Sequence, residues 1–250
     1  IRVKWTWAQI TEALGKQYQF DISNNSWGAI ASFGDDFNST DLSFAYQYLR
    51  KAVEEGRAGL GTSFVFSSGN SAGSGDNTNY HNFQNAREVI TVAAANEDGT
   101  VAAFSTPGSN VLVGAYGVDL ITTDRHESGL GLDTGSNYAS LTGTSASASL
   151  VSGVIALMLE ANPNLGYRDI QQILAYSAEH PDNQVWKTNG AGNWNLGGLQ
   201  FNDSLGFGLV NAYTAVQLAK TWNQTDTSLN EALVSARSFG LNLSIPDGTS

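Results

Sequence analysis

The sequence predicts an α/β domain built on a mostly parallel central sheet, and three observations predict it. Short apolar runs, each suited to a buried strand, recur between longer stretches with helical spacing. Glycines and a proline mark the ends of those stretches. One helix-length segment, Ser145 to Ala161, is apolar nearly all round, which places it inside the fold rather than on its surface.

The elements follow in order. A short run, Phe20-Asp21-Ile22-Ser23, leads into Ser26-Trp27-Gly28. Asp41 to Glu55 has helical spacing, with Leu42, Ala45, Leu49 and Val53 on one face, and Gly59-Leu60-Gly61 ends it. Ser63-Phe64-Val65-Phe66, Val89 to Ala93 and Val111 to Ala115 read as buried strands. Strand, helix, strand in this rhythm implies right-handed crossovers and parallel pairing. Pro163 closes the core helix, and an amphipathic helix follows from about Tyr167 to Ala178. From about Trp222 the chain turns polar, so residues 1–222 read as one domain and 223–250 as a separate tail. There is no internal repeat.

Composition narrows the function. Lys and Arg number 12 against 23 Asp and Glu, a formal net charge of −11, which opposes nucleic-acid binding because that needs a basic face. With no Cys, thiol nucleophiles, zinc–thiolate sites and disulfides are excluded. No run approaches the ~18 apolar residues that read as membrane-spanning, so no membrane partner is expected. The opening Ile1-Arg2-Val3-Lys4-Trp5 lacks both Met and a signal-peptide pattern and reads as cut from something longer.

Chemistry concentrates in Gly143-Thr144-Ser145-Ala146-Ser147-Ala148-Ser149, directly before the core helix. A Ser at a helix N-terminus lies beside free backbone N–H groups and the positive end of the helix dipole, where an oxyanion is stabilised. The glycine lets a substrate backbone approach closely. On these seven residues alone, a Gly-Thr-Ser turn capping an ordinary core helix explains the pattern equally well.

The flanking sequence separates the two readings. Gly143 to Ala148, then Gly153-Val154-Ile155-Ala156-Leu157, Leu159-Glu160-Ala161-Asn162 and Arg168-Asp169, resemble the serine segment of kexin and furin-type proprotein convertases within the subtilase family. The resemblance runs both ways along the chain. Ser26-Trp27-Gly28 is similar to a substrate-lining strand. Gly56 to Gly61 with Phe64-Val65-Phe66-Ser67-Ser68-Gly69-Asn70 is similar to the strand that ends in the oxyanion Asn. Asn189-Gly190-Ala191-Gly192 and Gly206 to Ala212 resemble the end of the catalytic domain, so the likeness covers most of residues 1–222.

That resemblance implies a three-layer subtilisin-like fold, here without its first strands, and a serine endopeptidase acting on polypeptides. It makes Ser145 the nucleophile and Asn70 the oxyanion donor. Ser26, Trp27, Gly28, Ser68, Gly69, His81 and Thr144 become substrate-binding residues. It also implies a secreted, periplasmic or extracellular location, a propeptide or chaperone as a potential partner, and structural calcium, with Asp76 as a ligand. A serine needs a base and the base needs an orienting carboxylate. The family's Asp and His-Gly-Thr motifs are absent, so both groups are expected from an upstream segment of the same protease, and this chain alone is expected to be inert. His81, His126 and His180 read as loop or surface histidines rather than a rebuilt base. A fragment without the first strands should leave a sheet edge and helix faces uncovered.

The chain departs from the family where the specificity pocket should be. Ala31 and His81 stand where the resemblance places pocket aspartates, and Gln9 where it places a more distal Glu. Asp35 and Asp36 could compensate if the loop after Trp27 is longer. Dibasic cleavage is therefore expected to be weakened. Thr106, like Ala31, is no carboxylate partner for Asp76 around calcium. Ser149 stands in place of the family's usual Pro, with a modest effect expected, and Asp98 and Asp124 read as solvated loop acids. The tail could begin a β-sandwich P-domain, since Leu241 to Ile245 alternates as a strand should; a polar linker is the competing reading. From another class, an inert subtilase-fold binding module remains the alternative. An α/β-hydrolase elbow is discounted because Gly143-Thr144-Ser145-Ala146-Ser147 lacks its second Gly.

Overall fold

The protein is described by a computed structural model covering residues 5–125, 131–133, 136–188 and 199–231. Four parallel strands form the central sheet: β1 (Ile22–Asn25), β2 (Ser63–Ser67), β3 (Val89–Ala95) and β4 (Val111–Tyr116), in that spatial order. The expected strands at 63–66, 89–93 and 111–115 all lie within it. Helix α1 (Trp7–Leu14) precedes β1, and α2 (Ala45–Glu55) makes the crossover from β1 to β2. The predicted 41–55 helix thus starts later, its first residues forming a 3₁₀ turn at Thr40–Leu42. An antiparallel pair, β5 (Leu120–Thr123) and β6 (Tyr138–Leu141), precedes α3 (Thr144–Ala161). Helices α4 (Tyr167–Ser177) and α5 (Ala212–Thr221) follow, separated by a small pair, β7 (Lys187–Thr188) and β8 (Gln200–Phe201).

The period-two alternation of strands divides the core between two faces. Phe64 and Phe66 of β2 pack with Leu14, Leu49 and Val53 of α1 and α2, and with Phe83. Val65, with Ile90, Val92 and Val113, packs on the other face against Val151, Ile155 and Met158 of α3 and against α4 and α5. The result is three layers, α1 and α2, sheet, then α3 to α5, as expected for parallel strands covered on both sides. By length and composition α3 is apolar enough to cross a membrane; its buried side packs on the sheet, as a core helix does.

One flank is uncovered. Among the described residues strand β1 pairs only with β2, leaving its outer edge open. On α3, Leu150 is 43% and Leu157 55% exposed, on the stripe that also carries exposed Gly153 and Ala156. This stripe adjoins β1, because Ser152 Oγ donates to Asn24 Oδ1 at 3.0 Å. A groove of about 670 Å³, lined by Trp5, Ile10, Leu14, Phe20, Ile22 and Trp27, runs along the same edge.

The polar stretch after Trp222 folds back on α4. The buried Asp169 carboxylate accepts from Gly166 N (2.7 Å), Trp222 Nε1 (2.9 Å) and Asp226 N (3.0 Å). Burial holds this carboxyl above the usual carboxylate range, against the opposing pull of those hydrogen bonds. Farther along, Arg87 Nη2 donates to Glu231 Oε2 at 2.7 Å. Leu241 to Ile245 and Asn189 to Gly192 lie outside the described residues.

Candidate active site

Parallel strands place their following loops at one end of the sheet, and that end is where such folds build sites. Three chain segments converge there. Ser26-Trp27-Gly28 leaves β1, Ser68-Gly69-Asn70 leaves β2, and α3 starts after a loop pinned to the end of β4. Between them lies a cleft of about 250 Å³. All ten residues assigned to the site from sequence line it: Ser26, Trp27 and Gly28 on one wall, Ser68, Gly69 and Asn70 on another, Thr144 and Ser145 at the helix mouth, and Asp76 and His81.

The nucleophile turn is held by its backbone. Gly143 N donates to Gly117 O at 2.8 Å, and Ser147 Oγ donates to Tyr116 O at 3.1 Å, fastening the first turn of α3 to the end of β4. Gly143 has φ +149°, a conformation that favours glycine. Gly117 stands against the same turn. A Cβ there would lie 2.3 Å from Ser147 Oγ and 2.7 Å from the Ala94 Cβ. Sequence reasoning did not single out Gly117; its one signal was a glycine directly after a strand.

Asn70 faces this turn across the cleft. Its Oδ1 accepts from Thr144 N (3.0 Å) and from Thr144 Oγ1 (2.9 Å), while Gly69 N donates to Thr144 Oγ1 (3.2 Å). Two donors on Oδ1 fix the amide, because the reversed orientation would oppose them with an NH₂ group. Nδ2 is thereby left without a protein acceptor among the described residues, as is the Ser145 N–H in the first turn of the helix. Ser145 Oγ likewise has no partner among the described residues. A nucleophilic oxygen and two unengaged N–H donors around one cleft are the parts required for stabilising a tetrahedral oxyanion.

Trp27 is locked at the cleft wall. Its Nε1 donates to Asn25 Oδ1 at 3.0 Å, and its ring packs edge-on against Phe66 and Phe83, with centroids 5.1 and 5.0 Å apart. Ser26 Oγ donates to Ser145 O at 3.1 Å, joining the β1 loop to the nucleophile segment.

The histidines offer no base to Ser145 among the described residues. The His81 ring lies between two carboxylates, with Nδ1 3.3 Å from Asp35 Oδ1 and Nε2 3.1 Å from both oxygens of Asp76. With both nitrogens engaged, it has no lone pair free for the serine hydroxyl. Although His81 sits in a loop, as the sequence indicated, it is buried rather than on the surface, because both ring nitrogens find carboxylate partners. His180 is exposed and packs on the Trp186 ring, 4.7 Å between centroids. His126 lies outside the described residues.

The loop after Trp27 also resolves which acids approach the cleft. Ala31 is exposed, Asp35 is buried beside His81, and Asp36 points away to cap Asn38 N at 2.9 Å. Gln9 caps α1 through a hydrogen bond with Thr6 N (3.0 Å) and does not line the cleft. The residues around Asp76 do not fit calcium, which takes several oxygen ligands at once. Both Asp76 oxygens face an imidazole nitrogen, Thr106 Oγ1 accepts from Ser71 N (3.0 Å), and Ala31 has no side-chain donor atom. Among the described residues no group of three or more His, Asp or Glu side chains is arranged to hold a metal. Asp98 is exposed and Asp124 half-buried, and hydrogen bonds, from Thr100 to the first and from Asp133 N to the second, hold both carboxyls below the usual range.

Comparison with known proteins gives a consistent assignment. The sequence profile of the Subtilase family matches residues 2–208. Proprotein convertase subtilisin/kexin type 7 of Mus musculus is 35% identical over 222 residues, covering 84% of this chain and 27% of that protein. Mouse furin is 31% identical over 237 residues, covering 90% of this chain and 28% of furin. The chain thus spans little more than a quarter of these relatives. Among solved structures, an Aeromonas sobria serine protease crystallised with a chaperone superposes with a TM-score of 0.77 at 20% identity, covering 89% of this chain and 47% of that one. Fervidolysin from Fervidobacterium pennivorans gives 0.61 at 24% identity, covering 84% of this chain and 29% of that one. At those identities the structural likeness speaks for the fold.

Proposed function

This chain belongs to the subtilase family, and we propose that it is the nucleophile-bearing part of a serine endopeptidase that cleaves polypeptides through an acyl-enzyme on Ser145. One observation carries the reading: Ser145 Oγ, its own N–H and Asn70 Nδ2 share a cleft, all without partners among the described residues. Ser145 Oγ attacks the scissile carbonyl. The developing oxyanion accepts from Ser145 N–H and Asn70 Nδ2; its collapse breaks the peptide C–N bond, the amine leaves with the proton taken from Ser145, and water then hydrolyses the acyl-enzyme.

The proton of Ser145 needs a base with an orienting carboxylate. We place both in an upstream segment of the same protease. What supports this is the engagement of both His81 nitrogens, together with the open β1 edge and the uncovered Leu150–Leu157 stripe beside it. A segment adding strands to β1 would cover both and set a base beside Ser145. Weakened selection of basic side chains, a propeptide or chaperone partner, and secretion belong to the same proposal.

The test is turnover of a peptide ester. The 250-residue chain alone should be inert. The full-length protein should be active, and S145A should abolish that activity. Turnover that survives S145A, or Ser145-dependent turnover by the isolated chain, would overturn the proposal. A full-length protein without turnover would select the inert binding module.

A further inference from the structure

The cleft holds one arrangement that acyl transfer does not use. Asp76 and His81 line it together with Ser145, while Asp35 has no exposed surface and lies on the other nitrogen of the same ring. The side chains are 3% exposed for His81, 0% for Asp35 and 9% for Asp76. Asp35 is satisfied on both oxygens, with Oδ1 facing His81 and Oδ2 accepting from Phe83 N at 3.0 Å. Among the described residues Asp76 accepts further only from Ser32 Oγ, at 3.2 Å. A neutral imidazole has one N–H and would turn a lone pair toward one of the carboxylates; the imidazolium donates to both. Each ring nitrogen thus faces a carboxylate, and a cation between them would offset charge whose burial is costly.

We infer that His81 is a specificity-determining residue: clamped between Asp35 and Asp76, it is a built-in cation occupying the anionic end of the cleft, so that the cleft takes neutral side chains and refuses Arg and Lys. This rests on the protease reading for its substrate and deepens it. The carboxylate charge facing the cleft is already hydrogen-bonded inward, and an entering guanidinium would meet an imidazolium at contact distance. Without His81 the same walls would enclose two carboxylates and the space of an imidazole ring, the requirements for a planar cation.

The test uses the full-length protein and benzamidine, an aromatic amidinium that reports on the cleft without turnover. H81A removes the internal cation and opens its space. H81Q keeps much of the volume while removing the charge, and so covers the case in which H81A does not fold. Calorimetric titration should show both variants binding benzamidine at least about tenfold more tightly than the parent, a unit charge at contact distance being worth more than one decade in a half-buried site. D76N combined with H81A or H81Q should erase that gain. With peptide substrates the parent should prefer neutral residues before the cut, and H81A should shift toward Arg. Equal benzamidine affinity in parent and variants, a gain that survives D76N, or a parent that prefers Arg would overturn the inference. Absence of turnover in every form, with benzamidine affinities still split as described, would sink the protease reading while leaving the clamp as the determinant of what the cleft binds.

Discussion

Replacing Thr144 by Val tests whether the Asn70 amide is held for catalysis by the residue before the nucleophile. Thr144 is fully buried, and its hydroxyl donates to Asn70 Oδ1 and accepts from Gly69 N. Val keeps the shape and removes both bonds. Stability should fall by about 2 kcal/mol, roughly 1 for the lost bond to Asn70 and 1 or more for the stranded Gly69 N–H. The catalytic effect should be smaller than loss of the donor itself. Backbone N at position 144 still donates to Asn70 Oδ1, so the amide loses about 1 kcal/mol of orientational preference, about fivefold in kcat with KM little changed. N70A, by contrast, should cost ~10²–10³ in kcat, the magnitude established for an oxyanion Asn in another subtilase. The assay is steady-state hydrolysis of a peptide ester by the full-length protein, with melting followed in parallel. T144S should restore turnover. In the N70A background T144V should have no further effect on kcat, because there is no amide left to orient. An undiminished fivefold loss in that background would refute the reasoning.

Other outcomes follow from the same geometry. G117A should destabilise the protein by about 1–3 kcal/mol through overpacking, and should depress turnover more than a core substitution of equal cost, because the added methyl collides with Ser147 in the first turn of α3; equal turnover in a folded G117A protein would count against that turn being held rigidly. D169N should lower the melting temperature, since an amide cannot accept from Gly166 N, Trp222 Nε1 and Asp226 N together. The Asp169 carboxyl is raised in the folded state, so the stability it contributes is complete below its unfolded value and lost as pH rises through the folded one. Denaturant titrations should therefore show the parent's advantage over D169N shrinking as pH rises across the range just above ordinary carboxylate titration, and an advantage growing with pH there would contradict the assignment.

The parts legible in the sequence were those governed by local patterning. Val89 to Ala95 is apolar without alternation, as a strand covered on both faces must be, and Ser145 to Ala161 has the all-round apolarity of a core helix. Ser145 and Asn70 were found by their segments, which are contiguous in the chain. Helix α1 escaped notice because Trp7 to Leu14 is short, and its apolar stripe is only three residues, Trp7, Ile10 and Leu14. The His81 clamp was only half visible. His81 and Asp76 lie five residues apart, but Asp35 comes from the loop after Trp27, forty-six residues earlier than His81, and only the fold decides whether Asp35 or Asp36 turns inward. The closing of the tail over Asp169 was hidden for the same reason, since its polar sequence looks solvated while its backbone caps a buried carboxylate.

The two halves of the cleft are anchored differently. The helix mouth is tied to the end of β4 by Gly143 and Ser147, and Asn70 is tied to that mouth by Thr144, so the groups that would bear the developing charge share one rigid frame. The opposite end is assembled from the loops around Asp35 and Asp76–His81, which bond to each other and, through Thr78 and Asn79, to the 107–110 segment that leads into the far end of β4. Substitutions in these loops can therefore change what is admitted without moving the machinery that would break the bond. A scaffold partitioned in this way can diversify its diet by ordinary drift, one loop residue at a time, while its reactive centre stays under separate constraint.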